Sequence, residues 1–259
     1  MLRVLQSEIY RIRKSRLFCL CLLLSLFFTL SLAFTFHYDT VRVPMRAGIA
    51  VVPSLTKFTE FLFSDYSLVF PLTLFLALHC TEDYHNGVPG VLLSKGVDRR
   101  ELFWGKLLAA GVGTLFYLVI SFVPAYCLLL VLWAGQPVFE CSVPSIIHFL
   151  LLQSCCYLGF TVFLWLSGLL LRLRSVAVLV DFCLLGVLYL YPTKIGTALG
   201  LEHALYRCWI VGCSHEMQID GLAGQTPQIL TTAFLYLAIG TVLSYWVYAR
   251  MDLRKMEGR

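Results

Sequence analysis

The sequence predicts an all-α polytopic membrane protein with six transmembrane helices, from its composition, its apolar stretches and the placement of its basic residues. The chain has 259 residues, of which 59% are hydrophobic and 14% charged, and its mean hydropathy is +0.81. Soluble domains carry about 25% charged residues and about 45–50% apolar residues. A single globular core cannot bury this excess, so lipid must cover much of the apolar surface. The same composition excludes intrinsic disorder and argues against a soluble enzyme.

Six apolar stretches of roughly 17 residues or more are long enough to cross a bilayer as helices. Two of them are weaker, because the second contains Asp65 and Pro71 and the fifth is short and contains Asp181. The six predicted spans are residues 17–36, 61–80, 107–133, 146–171, 175–191 and 229–249. All belong to one predicted transmembrane domain over residues 1–259, with an outer cap at residues 192–228.

The basic residues predict that both termini are cytoplasmic. Fifteen of the 20 Lys and Arg residues lie in the N-terminal segment, in the connections after the second and fourth spans, or in the C-terminal tail. Cytoplasmic connections are enriched in Lys and Arg, so these segments are placed inside. The chain has no basic patch interleaved with aromatic residues, so its sequence gives no case for a nucleic-acid partner.

The N-terminal segment, residues 2–16, is predicted to form an amphipathic interface helix. Leu2, Leu5, Ile9 and Ile12 recur at steps of three and four residues and so share one face. Such a helix lies in the membrane interface with its basic side toward anionic headgroups. A simple topology anchor would have the same pattern, and the two interpretations are compatible.

The connection between the second and third spans predicts a short helix. Asn86-Gly87 is a turn signal, Pro89 suits the first turn of a helix, and Gly96 suits a left-handed terminator. Asp98 is placed to cap the helix that continues into the third span. The leucines of the short helix have no obvious intrachain core, so they favour either docking in a partner protein's groove or contact with the lipid interface.

Two segments carry a resemblance to a known family. The start, SEIYRIRKSRLF followed by a long span, and the connection EDYHNGVPGVLLSKGVDRRELFWGKLL are similar to the type-2 ATP-binding-cassette (ABC) exporter permeases. The positions that match are Asp83-Tyr84, Asn86-Gly87, Leu92-Leu93-Ser94, Arg99 and Lys106. The chain most resembles small six-span permeases that act with a separate ATPase in antibiotic-peptide or bacteriocin resistance and export. Val88-Pro89-Gly90 departs from the threonine and longer polar residues that are common there.

The resemblance implies a transport subunit in a plasma membrane, of bacterial type, that exports an amphiphilic substrate such as an antimicrobial peptide or a lipid-like compound. It implies that residues 87–96 form a coupling helix, which docks on an ABC ATPase subunit, and that a second permease copy or paralogue pairs with this chain. The implied docking residues are Asn86, Gly87, Val91, Leu92, Leu93, Ser94, Lys95, Gly96 and Arg99. No G-x-x-x-x-G-K-[ST] motif occurs, so no cofactor is expected in this chain, and ATP and Mg²⁺ are assigned to the partner.

Asp181 is the one acidic residue well inside a predicted span. Burying a carboxylate at that depth costs about 2.5–3.5 kcal/mol, so the side chain must face protein or water. It is either a polar point on a substrate path or dimer seam, or a locally hydrogen-bonded or protonated acid.

The sequence is compatible with more than one structure for the outer cap and with more than one function for the chain. The resemblance implies that the cap forms short helices that dip into the outer leaflet as an external gate, whereas the residues alone are equally compatible with a packed extracellular cap. The spacing of Cys208 and Cys213 permits a disulfide without requiring one. The chain could instead be a lipid-modifying membrane enzyme, which needs two reactive groups at one depth, or a non-transporting sensor or scaffold. No motif predicts a catalytic or metal site.

Overall fold

The protein is a bundle of α-helices in a computed structural model that describes residues 2–42, 54–65, 67–85, 88–133, 141–171, 173–190 and 208–251. The described helices are α1 (Leu2–Lys14), α2 (Arg16–His37), α3 (Leu55–Ser64), α4 (Val69–His85), α5 (Val88–Ser94), α6 (Arg99–Leu132), α7 (Val143–Leu171), α8 (Arg174–Leu190), α9 (Ile210–His215) and α10 (Leu222–Arg250). A five-residue π-helical segment, Tyr38–Arg42, continues α2. Within the described ranges the chain forms no β-strand.

Four of these helices, α2, α6, α7 and α10, are long and apolar enough to cross a membrane. They contain the predicted spans 17–36, 146–171 and 229–249, and residues 107–132 of the third. Many of their large apolar side chains are exposed on the outside of the bundle, among them Leu23, Val131 and Phe234 at 68% or more of their surface. An apolar exterior of this extent suits contact with lipid rather than water. The structure therefore describes a helical membrane protein.

The second and fifth predicted spans differ from simple single helices. Residues 61–80 fall on two helices, because α3 ends at Ser64, α4 begins at Val69, and the pair is bent by 46°. The Asp65 carboxylate accepts hydrogen bonds from the backbone N–H and the hydroxyl of Ser67, and this local turn competes with helix continuation. The pair counts as a fifth membrane-crossing unit if both halves form one span. Helix α8 covers most of the fifth predicted span and has 17 residues. Its length is therefore about 25 Å, which is slightly less than the thickness of the hydrocarbon core of a bilayer.

Helix α7 lies at the centre of the bundle, and 61% of its most apolar stretch is buried. It packs against α10, α4, α6 and α9, while α6 also packs against α2 and α1. Two of these contacts are very close, because a Cβ at Gly168 would lie 2.8 Å from the Cys80 sulfur and one at Gly240 would lie 2.7 Å from Val162. Small residues at such crossings let helix backbones approach closely, as is common in membrane proteins.

Paired hydroxyl groups join the helices inside the bundle. The Ser25 and Ser121 hydroxyls of α2 and α6 lie 2.6 Å apart, and those of Thr114 and Thr161, on α6 and α7, lie 2.8 Å apart. The Tyr117 hydroxyl donates to the Leu68 carbonyl at 3.0 Å. Hydrogen bonds between helices at this depth satisfy polar groups that lipid cannot. They set which faces of α2, α6 and α7 meet.

Candidate functional site

Helix α5 is the short helix that the sequence places between two spans, and its end forms a Schellman motif. The Gly96 N–H donates to the Leu93 carbonyl at 3.0 Å, and the Val97 N–H donates to the Leu92 carbonyl at 3.1 Å. Gly96 has a φ of +84°, the left-handed conformation that this motif needs and that glycine adopts without strain. The prediction that Gly96 terminates the helix is confirmed. The predicted residues Asn86 and Gly87 lie outside the described residues.

The leucines of α5 make contacts within the chain that the sequence did not suggest. Leu92 and Leu93 are partly buried and pack against the hydrophobic core of the bundle, so the expectation that they lack an intrachain core is wrong. The sequence could not show this, because the core they enter is built from other helices. Val91 is 44% exposed, and Ser94 and Lys95 are also exposed. Val91 and Ser94, with Lys95 directly after the helix, form the outward face of α5.

Arg99, the first residue of α6, ties the start of that helix to the end of α10. The Arg99 guanidinium donates to the carbonyls of Ala249 and Met251 at 3.2 and 3.1 Å, which are acceptors left open at a helix C-terminus. Asp98 occupies the cap position of α6, as predicted, but its side chain makes no capping hydrogen bond. The start of α6 is therefore fixed by the Arg99 contact rather than by the predicted cap.

Helix α1 lies directly on the start of α6. A Cβ at Gly105 would lie 2.6 Å from Val4 Cγ1, so the glycine leaves room for α1. Beside it, Lys106 Nζ lies 3.8 Å from Glu8 Oε1, and both side chains are at most 4% exposed. Arg11 also lies 3.4 Å from the Glu8 carboxylate. A buried ion pair between α1 and α6 thus holds the amphipathic helix to the bundle.

The sequence alone did not predict this ion pair. A signal was present, because Glu8 lies three residues from Leu5 and four from Ile12 and so falls on the apolar face of α1. An acidic residue on the face that packs inward needs a buried cation as its partner. Lys106 offers that cation, in the middle of an apolar part of α6 where Leu102, Phe103 and Leu107 are buried.

Asp181 is fully buried, so its carboxylate faces protein rather than lipid, as predicted. The Ser167 hydroxyl of α7 donates to Asp181 Oδ1 at 2.5 Å. The second carboxylate oxygen, Oδ2, is buried and has no hydrogen-bond partner among the described residues. The pair joins α7 to α8, and it fits the interpretation of a local hydrogen bond to a serine.

The opposite end of the bundle is closed by α9 and the residues after it. Gln153 of α7 and Ser214 of α9 bond reciprocally: the Gln153 amide donates to the Ser214 carbonyl at 2.8 Å, and the Ser214 hydroxyl donates to the amide oxygen at 2.6 Å. The Glu60 carboxylate of α3 accepts from the Ile219 N–H at 2.6 Å. These bonds pack part of the predicted outer cap against the spans. Residues 192–207 of that cap lie outside the described ranges.

Two further predictions concern this end of the molecule. Cys208 is exposed and Cys213 is buried, and no disulfide joins them. Helix α10 begins at Leu222, so the last part of the predicted cap belongs to that helix.

No protein-family model, curated protein or solved structure matches this chain.

Proposed function

We propose that this chain is the permease subunit of an ABC exporter, which moves an amphiphilic substrate outward with energy from a separate ATPase chain. The observation that carries the proposal is α5, a short helix between two membrane-inserted units. Its Schellman motif and the packing of Leu92 and Leu93 hold it in place, while Val91, Ser94 and Lys95 face outward. A short helix with a fixed base and a free face is suited to transmit a push from a partner.

In this proposal the chain crosses the plasma membrane of a bacterium six times. The crossings are α2, the bent pair α3–α4, α6, α7, α8 and α10. Both termini, α1 and α5 lie on the cytoplasmic side, as the bias of the basic residues favours. Two such chains, identical or paralogous, pair in the membrane, and each contacts one ATPase.

The contacts of α5 supply a route for force. Movement of α5 passes to the bundle core through Leu92 and Leu93. It also passes along the chain to Arg99, the first residue of α6, whose guanidinium contacts the end of α10. The start of α6 is also coupled to α1 through the Glu8–Lys106 pair. Because these connections link α5 to several helices, an ATPase that grips it can shift more than one span at a time.

The first experiment tests whether the outward face of α5 touches an ATPase. A photo-cross-linking amino acid replaces Val91 in the full chain, expressed in its native host, and the control replaces Val143, an exposed valine at the start of α7. We expect position 91, and not position 143, to capture a protein that carries a Walker A motif. Capture of such a protein at both positions, or at neither, contradicts the proposal.

A charge reversal gives an independent measurement. Lys95→Glu is expected to remove most of the co-purifying ATPase while leaving the folded chain intact, because Lys95 is exposed. Lys57→Glu, at an exposed lysine of α3, is the matched control and should retain the ATPase. Equal retention by both variants would show that α5 is not the docking element.

The cytoplasmic position of α5 has its own test. Ser94→Cys is introduced into a chain in which the native Cys141 and Cys208 are replaced by serine, and a membrane-impermeant maleimide is applied to intact cells. The new thiol should react only after the cells are permeabilised. Reaction in intact cells would place α5 outside and refute the whole arrangement.

A further inference from the structure

A cavity of about 590 Å³ lies at the elbow between α1 and α2. Its size is within the range of small-molecule sites, roughly 300–1,000 Å³. The elbow forms because Ser15 adopts an extended backbone conformation between the two helices, and its hydroxyl accepts from the Phe18 N–H. Helices α4 and α5 complete the walls. The lining includes Arg11, Lys14, Arg16, His79, Glu82 and Val88.

The lining of this elbow cavity is strongly cationic. Among the described lining residues, Arg11, Lys14 and Arg16 are accompanied by the carboxylate of Glu82, which lies 3.6 Å from Arg174, and Arg11 also contacts Glu8 outside the lining. Within the described part of the chain neither Lys14 nor Arg16 forms an ion pair, although Lys14 Nζ lies 4.9 Å from the centre of the Tyr10 ring. Because two cations are left uncompensated beside a cavity, the site favours an anion with several acceptor oxygens.

An apolar stripe leads away from the cavity along α2. Arg16, Leu20, Leu23 and Phe27 follow one another at steps of three and four residues, so they share one face of the helix. The three apolar members are 57%, 68% and 66% exposed. A cation at the head of an exposed apolar stripe on a membrane-spanning helix matches an amphiphile with an anionic head and a hydrocarbon tail. Free phosphate would use the head of this arrangement and leave the stripe unused.

We infer that the elbow cavity binds the phosphate-bearing headgroup of an anionic phospholipid, whose acyl chains lie along the exposed stripe of α2. Basic pockets between membrane helices recognise such headgroups. The bound lipid also contacts α5, because Val88, the first residue of that helix, lines the cavity. Lipid binding would therefore stabilise the packing of α5 against the bundle. The inference does not depend on the transport proposal, since it needs only the cavity, its charges and the bilayer.

The test measures lipid retained by the full chain in detergent, using native mass spectrometry and the thermal unfolding midpoint. The added probes are phosphatidylglycerol, phosphatidylcholine and inorganic phosphate. We expect phosphatidylglycerol to bind in a saturable way and to raise the unfolding midpoint more than either of the others. Lys14→Gln with Arg16→Gln should weaken its binding roughly thirtyfold, since each basic residue near a headgroup contributes about a factor of five.

Two matched variants make the result specific. Arg3→Gln with Arg13→Gln removes the same charge from exposed positions of α1 outside the cavity and should leave phosphatidylglycerol binding within about twofold of the parent chain, because its residues do not touch the headgroup. The charge-preserving swap Lys14→Arg with Arg16→Lys should retain binding, which separates loss of charge from misfolding.

The inference fails if phosphatidylcholine binds as well as phosphatidylglycerol, or if inorganic phosphate alone gives the full stabilisation. It also fails if the control pair loses as much binding as the cavity pair, because the attraction would then belong to the whole basic helix and not to a site.

Discussion

The buried pair Glu8–Lys106 gives the sharpest test of how the interface helix is attached. Lys106→Met keeps the length and apolar stem of the side chain and removes its charge. At the observed 3.8 Å separation and an effective dielectric constant near 20, the lost attraction is about 4 kcal/mol. Breaking a buried pair by removing one partner costs about 3–5 kcal/mol in other proteins. Arg11 also contacts Glu8, which favours a loss near 3 kcal/mol.

The double variant Glu8→Gln with Lys106→Met should recover most of that stability. It leaves no unpaired charge between α1 and α6, and replacing a whole buried pair is often neutral. The free energy of unfolding is measured by reversible SDS titration of the chain in mixed micelles, with helix content as the signal. Lys95→Met, at an exposed lysine, is the control and should change stability by less than about 0.5 kcal/mol.

Additive losses would contradict a stabilising interaction between Glu8 and Lys106. If Lys106→Met costs less than about 1 kcal/mol, or if the double variant is as unstable as the sum of the two single variants, the two charges do not stabilise each other. Helix α1 would then be held by its apolar contacts alone.

Three further perturbations have expected outcomes that the same unfolding measurement checks. Gly96→Ala should cost about 1–2 kcal/mol, because its φ is +84° and this left-handed conformation strains any residue with a Cβ. Steric contact does not contribute, since a new Cβ there meets nothing within 4 Å. Gly224→Ala is the control, because its new Cβ is equally open but its φ is not positive, and it should not destabilise the chain. Gly168→Ala should cost about 1–3 kcal/mol by overpacking, since its Cβ would lie 2.8 Å from the Cys80 sulfur and 2.9 Å from the Cys80 Cβ. The same substitution should cost less in a Cys80→Gly chain, which lacks both atoms, and an equal cost there would contradict the crossing geometry. Burial lowers the pKa of His215 below its usual value near 6.5. Because the unfolded chain then binds a proton more readily than the folded chain, the free energy of unfolding should fall as the pH drops below about 6.5. An equal fall in the His215→Gln variant would show that other groups cause this pH dependence.

The sequence was sufficient for those parts of the fold that depend on local chemistry. The long apolar stretches predicted α2, α6, α7 and α10, and Pro89 and Gly96 predicted the limits of α5, because turn and cap geometry depends on neighbours in the chain. The break between α3 and α4 was not predicted. In the sequence Asp65 only weakens the second predicted span, while in the folded chain it organises a turn with Ser67.

The candidate site was less predictable, because it depends on contacts between distant segments. Leu92 and Leu93 looked free in sequence since the core that receives them comes from other helices. The bond from Arg99 to the end of α10 joins two predicted segments whose proximity no periodicity reveals. Glu8 and Lys106 each carried a local signal, but only the packing of α1 on α6 brings them together.

The hydroxyl pairs between the spans have a consequence for movement. Thr114 and Thr161 contact each other across α6 and α7, and each hydroxyl also lies within donating distance of a carbonyl of its own helix, that of Ala110 at 3.0 Å and that of Tyr157 at 2.8 Å. If the two helices separate, neither hydroxyl is stranded, because each keeps an acceptor one turn away. Parting this contact costs far less than exposing an unsatisfied polar group to hydrocarbon. The polar groups of this seam therefore add little to the free-energy cost of separating α6 from α7.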